Sequence, residues 1–79
     1  IEVSAYPNPF SENLFIDLPD DSGYSFEIFN AFGEKFGFGV FDNAHNDMTQ
    51  HFANLASGVY FIKVYGNNGC KTLKVVKER

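Results

Sequence analysis

The chain has no tryptophan, one methionine and a single cysteine, Cys70, among its 79 residues. One cysteine cannot form a disulfide within the chain, and such low usage does not identify a redox compartment. No apolar run approaches the roughly 20 residues that a membrane-spanning helix needs. No segment repeats apolar residues at the helical period, and the opening Ile-Glu-Val-Ser is strand-like, unlike a signal peptide. Disulfide scaffolds, membrane spans and helical bundles are therefore excluded.

Aromatic residues are abundant instead, with ten Phe and four Tyr. A chain of this length forms one domain, residues 1–79, and buries only about 60% of its unfolded surface. No disulfide or Cys/His metal cluster is present to add stability. We therefore expect the aromatic rings, each of which buries roughly 150–250 Å² when packed, to form most of the core.

The charge is unevenly distributed along the chain. Residues 1–69 hold nine acidic residues and two lysines, a net charge of −7. Residues 70–79 hold three lysines and one arginine against Glu78, a net charge of +3. Nucleic-acid binding requires a basic surface, so the acidic body excludes it.

Short apolar segments alternate with polar turns along the whole chain. The strands are predicted at residues 1–5, 14–18, 24–28, 34–41, 48–52, 59–65 and 70–77, the fifth being weak. Residues 30–33 and 66–69 are predicted turns, and residues 42–47 a polar loop. In the fourth strand we expect Phe36, Phe38 and Val40 on one face, with Gly37 and Gly39 on the outer face. Seven strands at this spacing predict an all-β, immunoglobulin-like antiparallel sandwich.

The sixth strand is apolar on both faces, which is typical of a central strand. It follows the corner Leu55-Ala56-Ser57-Gly58. The Leu-x-x-Gly-x-Tyr spacing predicts a tyrosine corner, in which the hydroxyl of Tyr60 bonds to the backbone a few residues upstream. Gly58 would supply a backbone conformation that a side chain obstructs.

Near the start, Tyr6-Pro7-Asn8-Pro9-Phe10 places an aromatic residue on each side of two prolines. Proline fixes its own φ and favours extended geometry in the preceding residue. The segment is therefore predicted to be a stiff, non-pairing bend that both rings pin to the core.

Candidate chemical sites are few. His45 and His51 flank Asp47, and this group is the best metal candidate. The spacing does not place a third ligand with the two histidines, however, so solvated loop histidines are the favoured interpretation. Residues 42–47 lack the central Gly and terminal Glu of a calcium loop.

Asp20 and Asp21 are adjacent turn residues, so they are interpreted as solvated rather than as a catalytic pair. Cys70 lies beside Lys71 with no histidine nearby in the chain, and is interpreted as an ordinary thiol. We expect neither catalysis nor a cofactor.

Three segments together resemble the type A C-terminal sorting domain of proteins exported by the type IX secretion system of Bacteroidetes. They are Tyr6-Pro7-Asn8-Pro9-Phe10, Leu55-Ala56-Ser57-Gly58-Val59-Tyr60 with the strand that follows, and Lys74-Val75-Val76-Lys77. The segment Glu27–Lys35 is similar to the middle hairpin of the family. The resemblance spans nearly the whole chain, and Cys70 is its main departure.

The resemblance implies a non-catalytic signal at the end of a larger, N-terminal cargo protein. It implies periplasmic transit, recognition by the outer-membrane translocon and its shuttle protein, and removal by a surface sortase, leaving the cargo anchored or released. The recognition motif it implies has twelve positions: Tyr6, Pro7, Asn8, Pro9, Phe10, Leu55, Gly58, Tyr60, Lys74, Val75, Val76 and Lys77. Of these, the first two segments are expected to act through folding.

Two interpretations of the last strand stay open. Its exposed edge, with Lys71, Lys74 and Lys77, would dock a partner by strand addition, or its lysines would only prevent mispairing. Two other functions are also open. One is a ligand-binding accessory module, carbohydrate-binding or fibronectin-III-like, that uses Phe15, Phe29 and Phe41 as a stacking platform. The other is a structural spacer that forms a strand-edge dimer.

Overall fold

The computed structural model describes residues 2–21, 23–67 and 69–78. Their regular elements, in chain order, are β1 Ser4–Tyr6, β2 Phe15–Asp17, β3 Ser25–Asn30, β4 Lys35–Val40, β5 His45–Asp47, α1 Thr49–Phe52, β6 Gly58–Gly66 and β7 Gly69–Lys77. The strands form two antiparallel sheets, one of order β1-β2-β5 and one of order β4-β3-β6-β7. The predicted sandwich of seven strands is confirmed.

The core lies between the two sheets. Fifteen apolar residues are buried there: Val3, Phe10, Leu14, Ile16, Leu18, Tyr24, Phe26, Ile28, Phe41, Met48, Phe52, Tyr60, Ile62, Val64 and Val75. Strand β6 pairs with β3 on one side and β7 on the other. Its predicted central position is confirmed, because it has a paired strand on each side.

The region between β4 and β6 differs from the prediction. Residues 42–47 were predicted to be a loop, but His45–Asp47 pair with β2 as β5. Residues 48–52 were predicted to be a strand, but Thr49–Phe52 form the helical turn α1. Met48 and Phe52 are both buried, and a spacing of four residues brings side chains together on a helix. A strand would have placed the polar Gln50 between them on the same face.

The predicted facing of β4 is inverted over residues 37–40. Phe38 and Val40 are exposed, by 74% and 70%, whereas Phe36 is 46% exposed and its ring lies 5.7 Å from that of the buried Tyr60. Gly37 and Gly39 face the core instead, where a Cβ on Gly39 would lie 3.0 Å from the ring of Phe26. The ring of Phe26, on β3, fills the space beneath Gly39, so a side chain at that position would require the ring to shift. The pairing of β3 with β4 is irregular at one point, where the register shifts between Ile28 and Phe29.

Both predicted turns connect paired strands. In the first, Gly33 has a φ of +87° and its N–H donates to the carbonyl of Asn30 at 3.1 Å. In the second, Gly66 pairs with Gly69, and Asn68, one of its two predicted turn residues, lies outside the described residues.

Gly66 provides a test of the packing at this end of the sandwich. A Cβ on Gly66 would lie 2.6 Å from an atom of the Tyr24 ring, which is buried. We expect Gly66→Ala to lower the free energy of unfolding by about 1–3 kcal/mol, because the buried ring would have to shift to make room for the methyl group. Gly37→Ala is the matched control, since its Cβ would lie 3.8 Å from Ile28. Chemical denaturation compares the two, and equal stabilities would contradict the packing.

Candidate functional site: a motif cluster beside the last strand

The side chain of Asn8 pairs with the edge of β7. Its amide nitrogen donates to the carbonyl of Lys74 at 2.8 Å, and its amide oxygen accepts the N–H of Val76 at 3.0 Å. A side-chain amide carries one donor group and one acceptor, as a peptide unit does. Asn8 therefore takes the place of a neighbouring strand at this point.

Phe10 continues that pairing through its backbone. Its N–H donates to the carbonyl of Val76 at 2.9 Å, and its carbonyl accepts the N–H of Glu78 at 2.7 Å. Its ring is 1% exposed and meets Phe52 edge-on, with 5.3 Å between ring centroids. The prediction of a non-pairing bend is wrong, because proline removes only its own N–H and leaves Asn8 and Phe10 free to bond.

The two rings of this segment have different environments. Phe10 is pinned to the core as predicted, whereas Tyr6 is 39% exposed and lies on the outer face of the three-stranded sheet. Pro7 and Pro9 are both exposed. Only one end of the segment therefore anchors it to the core.

The predicted tyrosine corner is confirmed. The hydroxyl of Tyr60 donates to the carbonyl of Ala56 at 2.6 Å, and its ring packs 5.6 Å from Phe52. Leu55 packs partly buried against the core. Gly58 has a φ of +154° with open space around the Cβ position. Its backbone conformation, rather than a clash, accounts for glycine there.

Lys77 joins this corner to the end of β7. Its ammonium donates to the carbonyls of Phe52 and Leu55, at 2.5 and 2.7 Å. Phe52 ends α1, where backbone carbonyls favour a cation, and its carbonyl also accepts the N–H of Leu55 at 3.1 Å. Asn8, Phe10, Phe52, Tyr60 and Lys77, hereafter the closing cluster, thus connect all three motif segments.

The closing cluster changes the interpretation of β7. The strand lies at the sheet edge as predicted, with Val75 buried, and Lys71 and Lys74 are exposed. Its edge is not open throughout, however, because Asn8 and Phe10 occupy it from the carbonyl of Lys74 to the N–H of Glu78. Of the three lysines named in the docking interpretation, Lys77 is the one whose ammonium is bonded internally, to two backbone carbonyls.

A second polar cluster lies on the outer face of the three-stranded sheet. Asp17 accepts the hydroxyl of Tyr6 at 2.9 Å and bonds Nδ1 of His45 at 2.5 Å. These bonds, first that of His45 and then that of Tyr6, hold the pKa of Asp17 below its ordinary value. The hydrogen bond to Asp17 raises the pKa of Tyr6. The cluster orients the His45 ring, which also stacks on Phe15.

The metal candidates do not converge. His45 lies in β5 rather than in a loop, while His51 lies in α1 and contacts the ring of Phe26 at 5.2 Å. Asp47 accepts the N–H of Thr49 at 2.9 Å. Among residues 2–21, 23–67 and 69–78, no three His, Cys, Asp or Glu side chains are grouped to hold a metal ion.

The proposed aromatic platform is not assembled. Phe41 is buried in the core, Phe15 lies in the three-stranded sheet and Phe29 lies in the four-stranded sheet. A sugar ring cannot stack on three aromatic residues that face different directions. That prediction is wrong.

Acid should weaken the sandwich. Hydrogen bonds hold the pKa of Asp17, Glu27 and Asp47 below ordinary values, through His45, Tyr65 and Thr49 respectively. A carboxyl with a lowered folded pKa stabilises the fold above its unfolded pKa, and loses that contribution as pH falls through the folded pKa. We expect the free energy of unfolding to fall between about pH 5 and pH 2. Denaturation titrations should show a shallower fall for Asp17→Asn, and identical profiles would contradict the Asp17 contribution.

Sequence reasoning identified the three segments, but missed how they bond. Asn8 gave no signal of strand pairing, because its partners lie more than 60 positions away. The Tyr6–Asp17–His45 cluster was missed since β5 was not predicted. The one usable signal for this bonding was Lys77. It lies two residues after the buried Val75, so this cation falls on the inward face of the strand.

Comparison with known proteins identifies a family for this chain. The model of the secretion system C-terminal sorting domain family matches residues 4–78, and a search of curated proteins finds no match. No helix in the described part of the chain is long and apolar enough to cross a membrane. The match includes every residue of the closing cluster and nearly the whole chain, and the chain therefore belongs to the family of secretion system C-terminal sorting domains.

Proposed function

We propose that this domain is a non-catalytic sorting signal, which directs a larger N-terminal cargo through the type IX secretion system and is then removed. In this proposal the cargo crosses the periplasm, and the outer-membrane translocon and its shuttle protein recognise the folded domain. A surface sortase cuts before the domain, and the cargo is anchored at the cell surface or released. Family membership supports a C-terminal sorting signal exported by this machinery.

The closing cluster is the observation that carries the proposal. It fixes the Tyr6–Phe10 segment, the Leu55–Tyr60 corner and the end of β7 in one arrangement, through side-chain bonds that span the chain. A signal that is recognised as a folded body benefits from such rigidity, because little ordering entropy is lost on binding. The motif residues thus act by building the signal's shape.

Export of a reporter tests the proposal. Residues 1–79 are fused to the C-terminus of a fluorescent protein that carries a periplasmic signal peptide, in a type IX-competent host. We expect fluorescence at the cell surface or in the medium, and periplasmic retention in a host that lacks the translocon. A reporter that stays in the periplasm of both hosts would overturn the proposal.

A further inference from the structure

The outer face of the three-stranded sheet presents six side chains in two cross-strand rows. Between them the strands point the buried Ile16 into the core, and alternation turns its neighbours outward. The side chains of His45 and Asp17 are 65% and 44% exposed, so the face is open to a partner. The rows are Ser4, Asp17 and His45, and Tyr6, Phe15 and Asp47.

Three of these side chains carry rings that form a continuous aromatic patch. The ring centroid of Phe15 lies 5.7 Å from that of His45 and 5.9 Å from that of Tyr6, and the Tyr6 and His45 centroids are 6.5 Å apart. The angles between the ring planes are 13°, 35° and 33° in the same order, so the rings have similar orientations. Planar cations stack on ring faces of this kind.

The carboxylate of Asp17 is held beside the aromatic patch. The hydroxyl of Tyr6 donates to one of its oxygens at 2.9 Å, and Nδ1 of His45 bonds the other at 2.5 Å. A carboxylate offers about four acceptor positions, so each oxygen can take a further donor. The two internal bonds fix the direction of the carboxylate, which reduces the ordering entropy lost when a partner binds.

The charged groups on and beside this face are mostly acidic. With histidine neutral, the six outward side chains include two carboxylates, Asp17 and Asp47, and no positive charge. Four more exposed carboxylates lie next to β1 and β2 in the chain, namely Glu2, Glu12, Asp20 and Asp21. The face therefore attracts a positively charged segment and repels a negatively charged one.

One lysine approaches this acidic side of the domain. Lys71 lines a cleft of about 430 Å³ together with Glu2 and Asp17. The other lysines also belong to the four-stranded sheet, and none of them lines that cleft: Lys35, Lys63, Lys74 and Lys77. Arg79 lies outside the described residues. One basic side chain thus stands against six carboxylates, and the charge of this side stays negative.

We propose that this face is the recognition surface of the signal, and that it binds a segment of the export machinery that carries arginine side chains. This inference rests on the proposed function and assigns the chemistry of its partner. A guanidinium stacks flat on the aromatic patch and donates paired hydrogen bonds to Asp17. The surrounding carboxylates draw the segment to the face. Lysine would gain the charge attraction but lacks the planar group that stacks.

Other occupants use only part of this arrangement. A neutral sugar ring would stack on the aromatic patch, but it would gain nothing from the surrounding negative charge. The described residues contain no group of three His, Cys, Asp or Glu side chains that could hold a metal ion. A second copy of the chain carries the same net charge of −4, and two copies repel one another.

Peptide titration of the domain, followed by NMR, tests the site directly. The probes are an Arg-Gly-Arg-Gly-Arg peptide and its citrulline analogue, which has the same shape without the charge, at low salt. We expect the citrulline peptide to bind at least tenfold more weakly, and the largest shift changes to occur at Phe15, Asp17 and His45. Equal affinities would overturn the cationic partner, and shift changes confined to another face would overturn the location. Tighter binding of cellohexaose at the same residues would assign the face to a sugar instead.

Two matched pairs of variants separate this face from general charge and ring content. Phe15→Leu removes a ring from the aromatic patch, while Phe38→Leu removes a ring that is 74% exposed on the opposite sheet. Asp17→Asn removes one negative charge from the face, while Glu34→Gln removes one from the exposed turn before β4. Thermal unfolding confirms that each variant is folded before binding and export of the reporter fusion are compared.

We expect peptide affinity and export to fall at least fivefold in Phe15→Leu and Asp17→Asn, and to stay within twofold of the unmodified domain in Phe38→Leu and Glu34→Gln. Equal peptide affinities within each pair would overturn the site. Normal export of folded variants that no longer bind the peptide would overturn its role as the recognition surface. Failure of the unmodified fusion to be exported would reject the proposed function, and the peptide titration does not depend on that result.

Discussion

Phe10→Ala is expected to lower the free energy of unfolding by about 3–5 kcal/mol, the cost of emptying a buried aromatic site. The ring is 1% exposed and packs edge-on against Phe52. A domain of this size has a total stability of roughly 4–12 kcal/mol. The variant should therefore be close to unfolded at 37 °C, and urea denaturation at lower temperature measures the loss.

Tyr6→Ala is the control at the other end of the same segment. Tyr6 is 39% exposed, and its hydroxyl bonds the exposed Asp17. We expect its removal to cost less than about 1 kcal/mol, as is usual for exposed positions. Equal losses in the two variants would show that Phe10 does not anchor the segment.

Lys77→Met is expected to cost about 2–4 kcal/mol, because it keeps the length of the side chain but removes both charge-assisted hydrogen bonds. The carbonyls of Phe52 and Leu55 would lose the ammonium that now lies 2.5 and 2.7 Å from them. Solvent reaches part of this site, which keeps the expected loss below the full value of two buried bonds. Denaturation curves of the variant and the unmodified domain give the difference.

Lys74→Met provides the comparison within the same strand. Lys74 is exposed and its side chain points outward, so the change should alter stability by about 0.5 kcal/mol or less. If the two lysines contributed equally, the bonding of Lys77 across the corner would be contradicted.

The segments that could be predicted from sequence are those whose own side chains determine their structure. Strand β6 is apolar on both faces, which is typical of a strand with a neighbour on each side. Tyr60 and Gly58 identified the corner, since their spacing brings the hydroxyl to a backbone carbonyl within a few residues. Leu73 and Val75 alternate with Thr72 and Lys74 in the sequence, which indicates that they form the inward face of β7.

The features that could not be predicted depend on residues distant in the chain. Strand β5 has polar side chains and exists because its backbone pairs with β2. The facing of β4 is set by Phe26, whose ring fills the space beneath Gly39. The pattern Phe-Gly-Phe-Gly-Val alternates equally well in either orientation, and only the partner strand decides between them.

The closing cluster shows the same limit at the candidate site. The prolines around Asn8 indicate a stiff segment, but they do not indicate its bonds, which go to Lys74 and Val76 at the other end of the chain. Likewise, the charge of Lys77 suggested an exposed docking residue. Its role as an internal donor follows from the position of α1, which was predicted to be a strand.

We propose that the motif segments serve export by stabilising the fold. The direct measurement compares export with stability across four variants: Asn8→Ala, Phe10→Ala, Tyr60→Phe and Lys77→Met. Each variant is scored for reporter export and for its unfolding midpoint. Export should decline with the fraction of folded domain, so that variants with similar midpoints are exported equally. A motif variant that unfolds at the same temperature as the unmodified domain, yet is retained in the periplasm, would contradict the account.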